Sequence, residues 1–251
     1  MTAATVAGFL HGFSLHFGLI APPTSLGCAL VAPKGPGTAL RQRFLEGTGI
    51  PCLLAVRASP DHVARTTAIA HAWAHAIGCG RAGIVETSFK DEAETDLFGE
   101  QAVLCGGLIA LIRAAYETLV EAGYPPLLAY TECCHEVKQI ADLVCDRGIA
   151  AMADAISPTA RFGALEASAR LDDAALRAHM RSMLASIQDG SFASRLAADA
   201  DAGNPKLRSF SEDLLKHPME PIGERVRAML PWLAQGKSGA VTTRIADKMS
   251  P

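Results

Sequence analysis

Two stretches of helical periodicity each place two acids four residues apart, Asp96 with Glu100 and Glu132 with Glu136. At that spacing both carboxylates share one helix face. Like charges so placed repel by a few tenths of a kcal/mol in water. The apolar neighbours Leu97, Phe98, Val103, Leu104, Ile140 and Leu143 predict a partly buried setting in which that cost grows. No Lys or Arg lies within four residues of the first pair, and only Lys138 accompanies the second, so a divalent cation is the economical counter-charge. Hard carboxylate oxygens select Mg2+ or Mn2+ over zinc. Four of them on two helices suit two ions about 3.5–4 Å apart, a pair able to polarise adjacent oxygens of one substrate. The competing reading is two solvated acidic faces, with Asp96 stabilised by the dipole of a nearby helix start.

Three further residues carry weaker signals. Lys34, in Val31-Ala-Pro-Lys-Gly-Pro-Gly37, falls where a strand turns into a helix, the usual ligand end of an open α/β sheet, although a turn lysine is commonly just solvated. His11 follows a strand and reads equally as a satisfied core histidine. Ser157, before Pro158, is a natural helix N-cap. A Gly-x-Gly-x-x-Gly string at Gly78–Gly83 has the wrong context for a dinucleotide site, because it closes the amphipathic segment Asp61–Ile77 and leads into strand-like Ile84–Thr87. It reads as a helix C-cap turn.

These residues must be positioned by two different kinds of element. Up to about residue 88, apolar runs at Val6–Leu10, Cys28–Ala32 and Cys52–Val56 alternate with helical stretches at Gly37–Glu46 and Asp61–Ile77, the pattern of α/β units. From Asp91 onward helical segments follow one another: Asp91–Ala122, Pro126–Asp146, Asp172–Gln188, a short one near Ala193, and Glu220–Ala234. The expected organisation is an α/β domain over 1–88, a helical metal-binding and dimerisation domain over 89–236, and a loosely ordered tail over 237–251.

The 251 residues hold 23 Lys+Arg against 26 Asp+Glu, which argues against nucleic acid or an anionic membrane as partner. The longest apolar run, Ala102–Ile112, falls short of the roughly 18 residues needed to cross a bilayer and reads as a buried helix. No export signal opens the chain, so a cytoplasmic protein is expected. Seven cysteines without a Cys-x-x-Cys pair read as reduced core thiols rather than a zinc site.

Taken together, these strings resemble ketol-acid reductoisomerase. The likeness runs in order through His11-Gly-Phe13, Val31–Gly37, Arg81-Ala-Gly83, Glu86-Thr87, Glu94–Gly107, Gly123-Tyr-Pro-Pro126, Glu132, His135-Glu136, Ile156-Ser157 and Thr159-Ala160. It continues weakly through Gly190-Ser-Phe192 and Pro221–Arg225 to Trp232. The resemblance implies a truncated Rossmann-type domain followed by a knotted all-α domain. It puts the metal ligands at Asp96, Glu100, Glu132 and Glu136, the active-site lysine and histidine at Lys34 and His11, and the serine that binds the substrate carboxylate at Ser157. It further implies two Mg2+ ions, with Mn2+ able to replace them, and a homodimer in which each site takes one carboxylate pair from each chain.

Departures accompany the likeness. The chain opens just before the strand that ends in His11, so the nucleotide-binding half is expected to be missing and NADPH is not expected to bind tightly. Arg57-Ala-Ser-Pro60 replaces a Gln-Asp-x-Ser-Gly string, Thr131 stands where an aromatic precedes the third carboxylate, and Arg161-Phe162 replaces Glu-Tyr. The implied activity is an α-ketol (acyloin) rearrangement of a 2-hydroxy-3-oxo acid, with Glu136 as proton relay and no reduction step of its own. Two alternatives stand beside it: a fragment or subunit of an NADPH-dependent reductoisomerase of branched-chain amino-acid biosynthesis, and a non-catalytic dimeric scaffold.

Overall fold

In the computed structural model, residues 5–230 are described; the expected tail lies outside them. Four strands form one sheet in sequence order: β1 (Val6–Phe9), β2 (Gly27–Pro33), β3 (Cys52–Arg57) and β4 (Ile84–Glu86). β1 pairs parallel with β2 and β3 with β4, but β2 and β3 run antiparallel, with Leu30 opposite Ala55. The α/β expectation holds, with a mixed rather than all-parallel sheet. The elements around the sheet are α1 (Phe13–His16), α2 (Gly37–Leu45), α3 (Pro60–Ala76) and α4 (Phe89–Gly99).

β2 is buried on both faces because each face of the sheet is covered. On one side Ala29, Val31, Cys52 and Leu54 pack with Ala70 and Ala74 of α3. Glycines permit this closeness: a Cβ on Gly27 would lie 2.3 Å from the Thr66 Oγ1 of α3. On the other side Cys28, Leu30 and Ala32 meet Leu15 of α1 and Phe89 of α4, and Phe9 stacks edge-on against Phe89 at 5.6 Å. A fully buried Leu30 alone removes enough apolar surface to stabilise the fold by about 1.5–3 kcal/mol. The Gly78–Gly83 string ends α3 as expected, with Gly78 in the left-handed region at φ 91°.

The remaining helices are α5 (Gly106–Glu121), α6 (Pro126–Tyr130), α7 (Val137–Ala155), α8 (Pro158–Leu171), α9 (Ala174–Gln188), α10 (Ser191–Asp201), α11 (Pro205–Lys216) and α12 (Met219–Ala228). Among the described residues two compact units result: those up to Leu104 with Ala178–Leu196, and Cys105–Arg177 with those from Ala197 to Leu230. In the second unit Tyr116, Ala129, Tyr130, Met219 and Val226 form the core. Two helices that periodicity did not single out, α8 and α11, begin at Ser157-Pro158 and Asn204-Pro205.

Both carboxylate segments contain a widened turn of π-helix, Glu100–Leu104 between α4 and α5, and Thr131–His135 between α6 and α7. The second is closed by the Glu136 amide donating to the Thr131 carbonyl five residues back, at 3.2 Å. Such turns add one residue to the helix and concentrate at functional sites.

The apolar run at Ala102–Ile112 is not buried. Leu104 and Leu111 are 64% and 60% exposed. The helical run Phe89–Glu121 is, by length and composition, apolar enough to cross a membrane, with 6% of its most apolar window buried. The 11-residue count had stopped the run at Arg113, although helical structure continues beyond it.

Candidate active site

The geometry of the first unit gathers His11, Lys34, Glu92 and Asp96 where two strands end. β1 leads into His11 and Gly12, and β2 leads into Lys34. α4 starts at Ser88, whose side chain accepts the Asp91 amide at 2.9 Å, and this cap aims the helix so that Glu92 and Asp96 face the strand ends. Lys34 Nζ donates to Asp96 Oδ1 at 2.8 Å and to Glu92 Oε1 at 3.1 Å. His11 Nε2 lies 3.0 Å from Asp96 Oδ2, and its Nδ1 lies 3.4 Å from Glu92 Oε2. The Phe13 amide donates to His11 Nδ1 at 3.0 Å, so in the neutral ring the proton sits on Nε2 and points at Asp96.

Glu92 was missed by the sequence reading, yet it is the most enclosed acid of the cluster, 1% exposed. The Gly12 amide donates to its Oε2 at 2.6 Å. The available signal was spacing, since Glu92, Asp96 and Glu100 form one ladder of four-residue steps along α4 and into the turn that follows it.

Three expectations need correction. The counter-charge for Asp96 is supplied by Lys34 and His11, remote in sequence and adjacent in space, so repulsion alone does not demand a metal. Second, Glu100, Glu132 and Glu136 are exposed, as are Val103, Leu104 and Ile140, so the cost of burying like charges does not arise for them in the chain by itself. Third, Lys138 pairs with Asp142 rather than with Glu132 or Glu136.

What the cluster can hold follows from its donors. Ligand atoms of His11, Glu92 and Asp96 lie within 4.8 Å of one another, so a small shift of side chains would bring them around one cation. The two hard carboxylates suit Mg2+ or Mn2+, whereas the imidazole is a ligand these ions do not prefer. Glu132, Glu136 and Ser157 belong to the second unit. Ser157 caps α8 by accepting the Ala160 amide at 3.1 Å, which leaves its hydroxyl proton free to donate to a ligand.

The hydrogen bond to Asp96 raises the His11 pKa above 6.5, against an opposing effect of partial burial, and nearby Glu92 raises it further. The same bond, helped by Lys34, holds the Asp96 carboxyl down at about 2. Asp96 therefore contributes stability that is present above its ordinary pKa near 3.8 and is lost as pH falls through about 2. His11 contributes stability that is complete below 6.5 and is lost as pH rises through its raised value. The thermal midpoint of the parent chain should exceed that of His11→Gln most clearly between about pH 4.5 and 6, and the gap should narrow towards pH 9. A gap that widens with rising pH would show that His11 is held neutral.

Comparisons with known proteins cover both parts of the chain. Residues 89–232 match the family model described as ketol-acid reductoisomerase, C-terminal domain, and residues 1–83 match acetohydroxy acid isomeroreductase, NADPH-binding domain. The ketol-acid reductoisomerase (NADP(+)) of Mycobacterium avium strain 104 is 47% identical over 225 residues, spanning 90% of this chain and 67% of the relative. That of Mycolicibacterium paratuberculosis strain K-10 matches with the same figures. A solved NADH-preferring ketol-acid reductoisomerase from an uncultured archean superposes with a TM-score of 0.85 at 40% identity, over 89% of this chain and 67% of that one. The expectation that the nucleotide-binding part is absent is overturned by the match over residues 1–83. It had rested on the position of the strand that ends in His11 near the start of the sequence and on the lack of a glycine turn in dinucleotide-binding context. The chain belongs to the ketol-acid reductoisomerase family.

Proposed function

We propose that this chain performs ketol-acid isomeroreduction, alone or completed by a further polypeptide. In this reading a 2-hydroxy-3-oxo acid rearranges by migration of an alkyl group from C2 to C3, and the C2 ketone so formed is reduced with NADPH, as in branched-chain amino-acid biosynthesis. The observation that carries the reading is the match of residues 1–83 and 89–232 to the two domains of one enzyme family. The cluster of His11, Lys34, Glu92 and Asp96 at strand ends supports it, because ligands of α/β sheets bind there.

Asp96 and Glu100 would hold metal from one side, and Glu132 and Glu136 from the other. Bound Mg2+ or Mn2+ acidifies a hydroxyl and polarises a carbonyl. Lys34, pinned by Glu92 and Asp96, offers a fixed ammonium to the oxygen that gains negative charge. In this reading His11 and Glu136 hold or move the hydroxyl proton, and the Ser157 hydroxyl donates to the substrate carboxylate. The Gly78–Gly83 string is a helix end, so it is not a pyrophosphate cradle, and the hydride step is assigned to no residue.

The partner surface is apolar. Ile149 of α7 and Phe162, Leu165 and Leu171 of α8 are each more than half exposed, more apolar surface than a monomer leaves to water without a use. A second copy covering such faces fits a homodimer with shared sites. In this reading the exposed apolar residues of α5, such as Leu108 and Leu111, are covered by protein in the same way.

The test combines binding with turnover. Calorimetry should show Mg2+ uptake that Asp96→Asn abolishes, and NADPH oxidation with 2-acetolactate should require the metal. Carbon NMR then identifies the rearranged, reduced acid. Metal uptake unchanged in Asp96→Asn would overturn the metal site and favour the scaffold reading.

A further inference from the structure

α4 carries a second buried acid that the site does not use. Glu94 lies two positions after Glu92, about 200° around the helix, and is 7% exposed. Among the described residues its partner is His16, whose Nε2 lies 3.2 Å from Oε1. His16 closes α1, and Gly12, which opens it, donates its amide to Glu92. The segment is therefore fastened to α4 at both ends, at Gly12 through Glu92 and at His16 through Glu94. There is no slack between the fastenings. A Cβ on Gly12 would fall 2.3 Å from the Phe89 carbonyl oxygen. The His16 ring is also held sideways by Phe17, at 4.5 Å, which packs in turn on Phe13 at 5.0 Å.

An apolar contact would join α1 to α4 without desolvating a carboxylate, which is costly. A polar contact with the ring nitrogen 3.2 Å from the carboxylate differs by fixing distance as well as adhesion. What it fixes here is the residue before Gly12, namely His11, whose ring meets Asp96. We infer that Glu94 and His16 are positioning residues, a clip that sets α1 on α4 so that His11 and the Gly12 amide hold Asp96 and Glu92 in register for the metal. The inference rests on the proposed function for its catalytic consequence, and on the Gly12–Glu92 hydrogen bond and the His16–Glu94 contact for its structural one.

The experiment uses the full chain with four single variants and one double. Glu94→Ala and His16→Ala remove the contact, whereas Glu94→Gln and His16→Gln keep a polar group in nearly the same place. Glu94→Ala should weaken Mg2+ binding about tenfold or more by calorimetry, as loss of a supporting contact to a metal site does. It should lower kcat by a similar factor while the KM for 2-acetolactate stays within about twofold, since the Ser157 end of the site is untouched. Both Gln variants should restore most of the loss, and His16→Ala/Glu94→Ala should be no worse than Glu94→Ala. Protection of the Gly12 amide against hydrogen exchange should fall in Glu94→Ala and persist in Glu94→Gln. Additive losses, or a Glu94→Ala chain whose folded molecules keep the parent's Mg2+ affinity, kcat and Gly12 protection, overturn the clip. A parent chain that takes up no Mg2+ overturns the proposed function instead, and the Gly12 amide still decides the clip.

Discussion

Glu92→Ala is expected to lose about 3–5 kcal/mol of stability in urea denaturation, the cost typical of removing one partner from a buried charge pair. Two groups depend on that carboxylate, the Gly12 amide at 2.6 Å and Lys34 Nζ at 3.1 Å, and the His11 ring lies beside it at 3.4 Å. Truncation leaves the amide buried and unpaired, and leaves Lys34 with Asp96 alone. Against a typical total of 5–15 kcal/mol, the loss removes a large fraction of the folding free energy. Glu92→Gln keeps an acceptor for the amide but not the charge for Lys34, so it should fall between parent and Ala. If Glu92→Ala changes stability by less than about 1 kcal/mol, the carboxylate is not the pin that the geometry makes it.

The same carboxylate shows why the site was only partly legible in the sequence. Asp96 and Glu100 stood out because a four-residue step between acids is visible in one dimension. Their counter-charge was not, because Lys34 and His11 lie 62 and 85 positions from Asp96 and reach it only after β1 and β2 pair. Local charge counting therefore named a metal as the required cation where the fold provides a lysine first. Burial was misread for a related reason. Val103, Leu104 and Ile140 are apolar, and apolarity was taken for enclosure, but these side chains face outward on the chain by itself.

The strands were legible, since short β-branched and leucine-rich runs bounded by Gly and Pro have few alternatives. The antiparallel pairing of β2 and β3 was not, because pairing direction leaves no trace in a six-residue apolar run. The π turns were also invisible. Their residues keep helical φ and ψ, as at Glu100 with −63° and −44°, and only the hydrogen-bond step changes. α8 escaped notice because its apolar residues form no single helical stripe; α11 carries one through Leu207, Phe210 and Leu214, a signal that was available, and both begin at a proline.

Exposure of the carboxylates bears most directly on how the site is completed. Glu100 lies in the first unit, Glu132 and Glu136 in the second, and all three are open to solvent in the single chain. If a dimer builds each site from the first pair of one chain and the second pair of the other, Glu100→Gln and Glu132→Gln damage opposite halves. Each homodimer is then dead at both sites. After subunit exchange in an equal mixture, about half of the dimers are mixed, and in each of these one site collects both substitutions while the other collects none. The mixture should therefore recover about one quarter of the parent activity, together with one quarter of its metal-binding sites by calorimetry. Sites built within one chain predict no recovery, because every chain carries one damaged ligand whatever its partner. Exchange itself can be followed with a charge-tagged chain, so a mixture proven to have exchanged and still inactive rules out sharing.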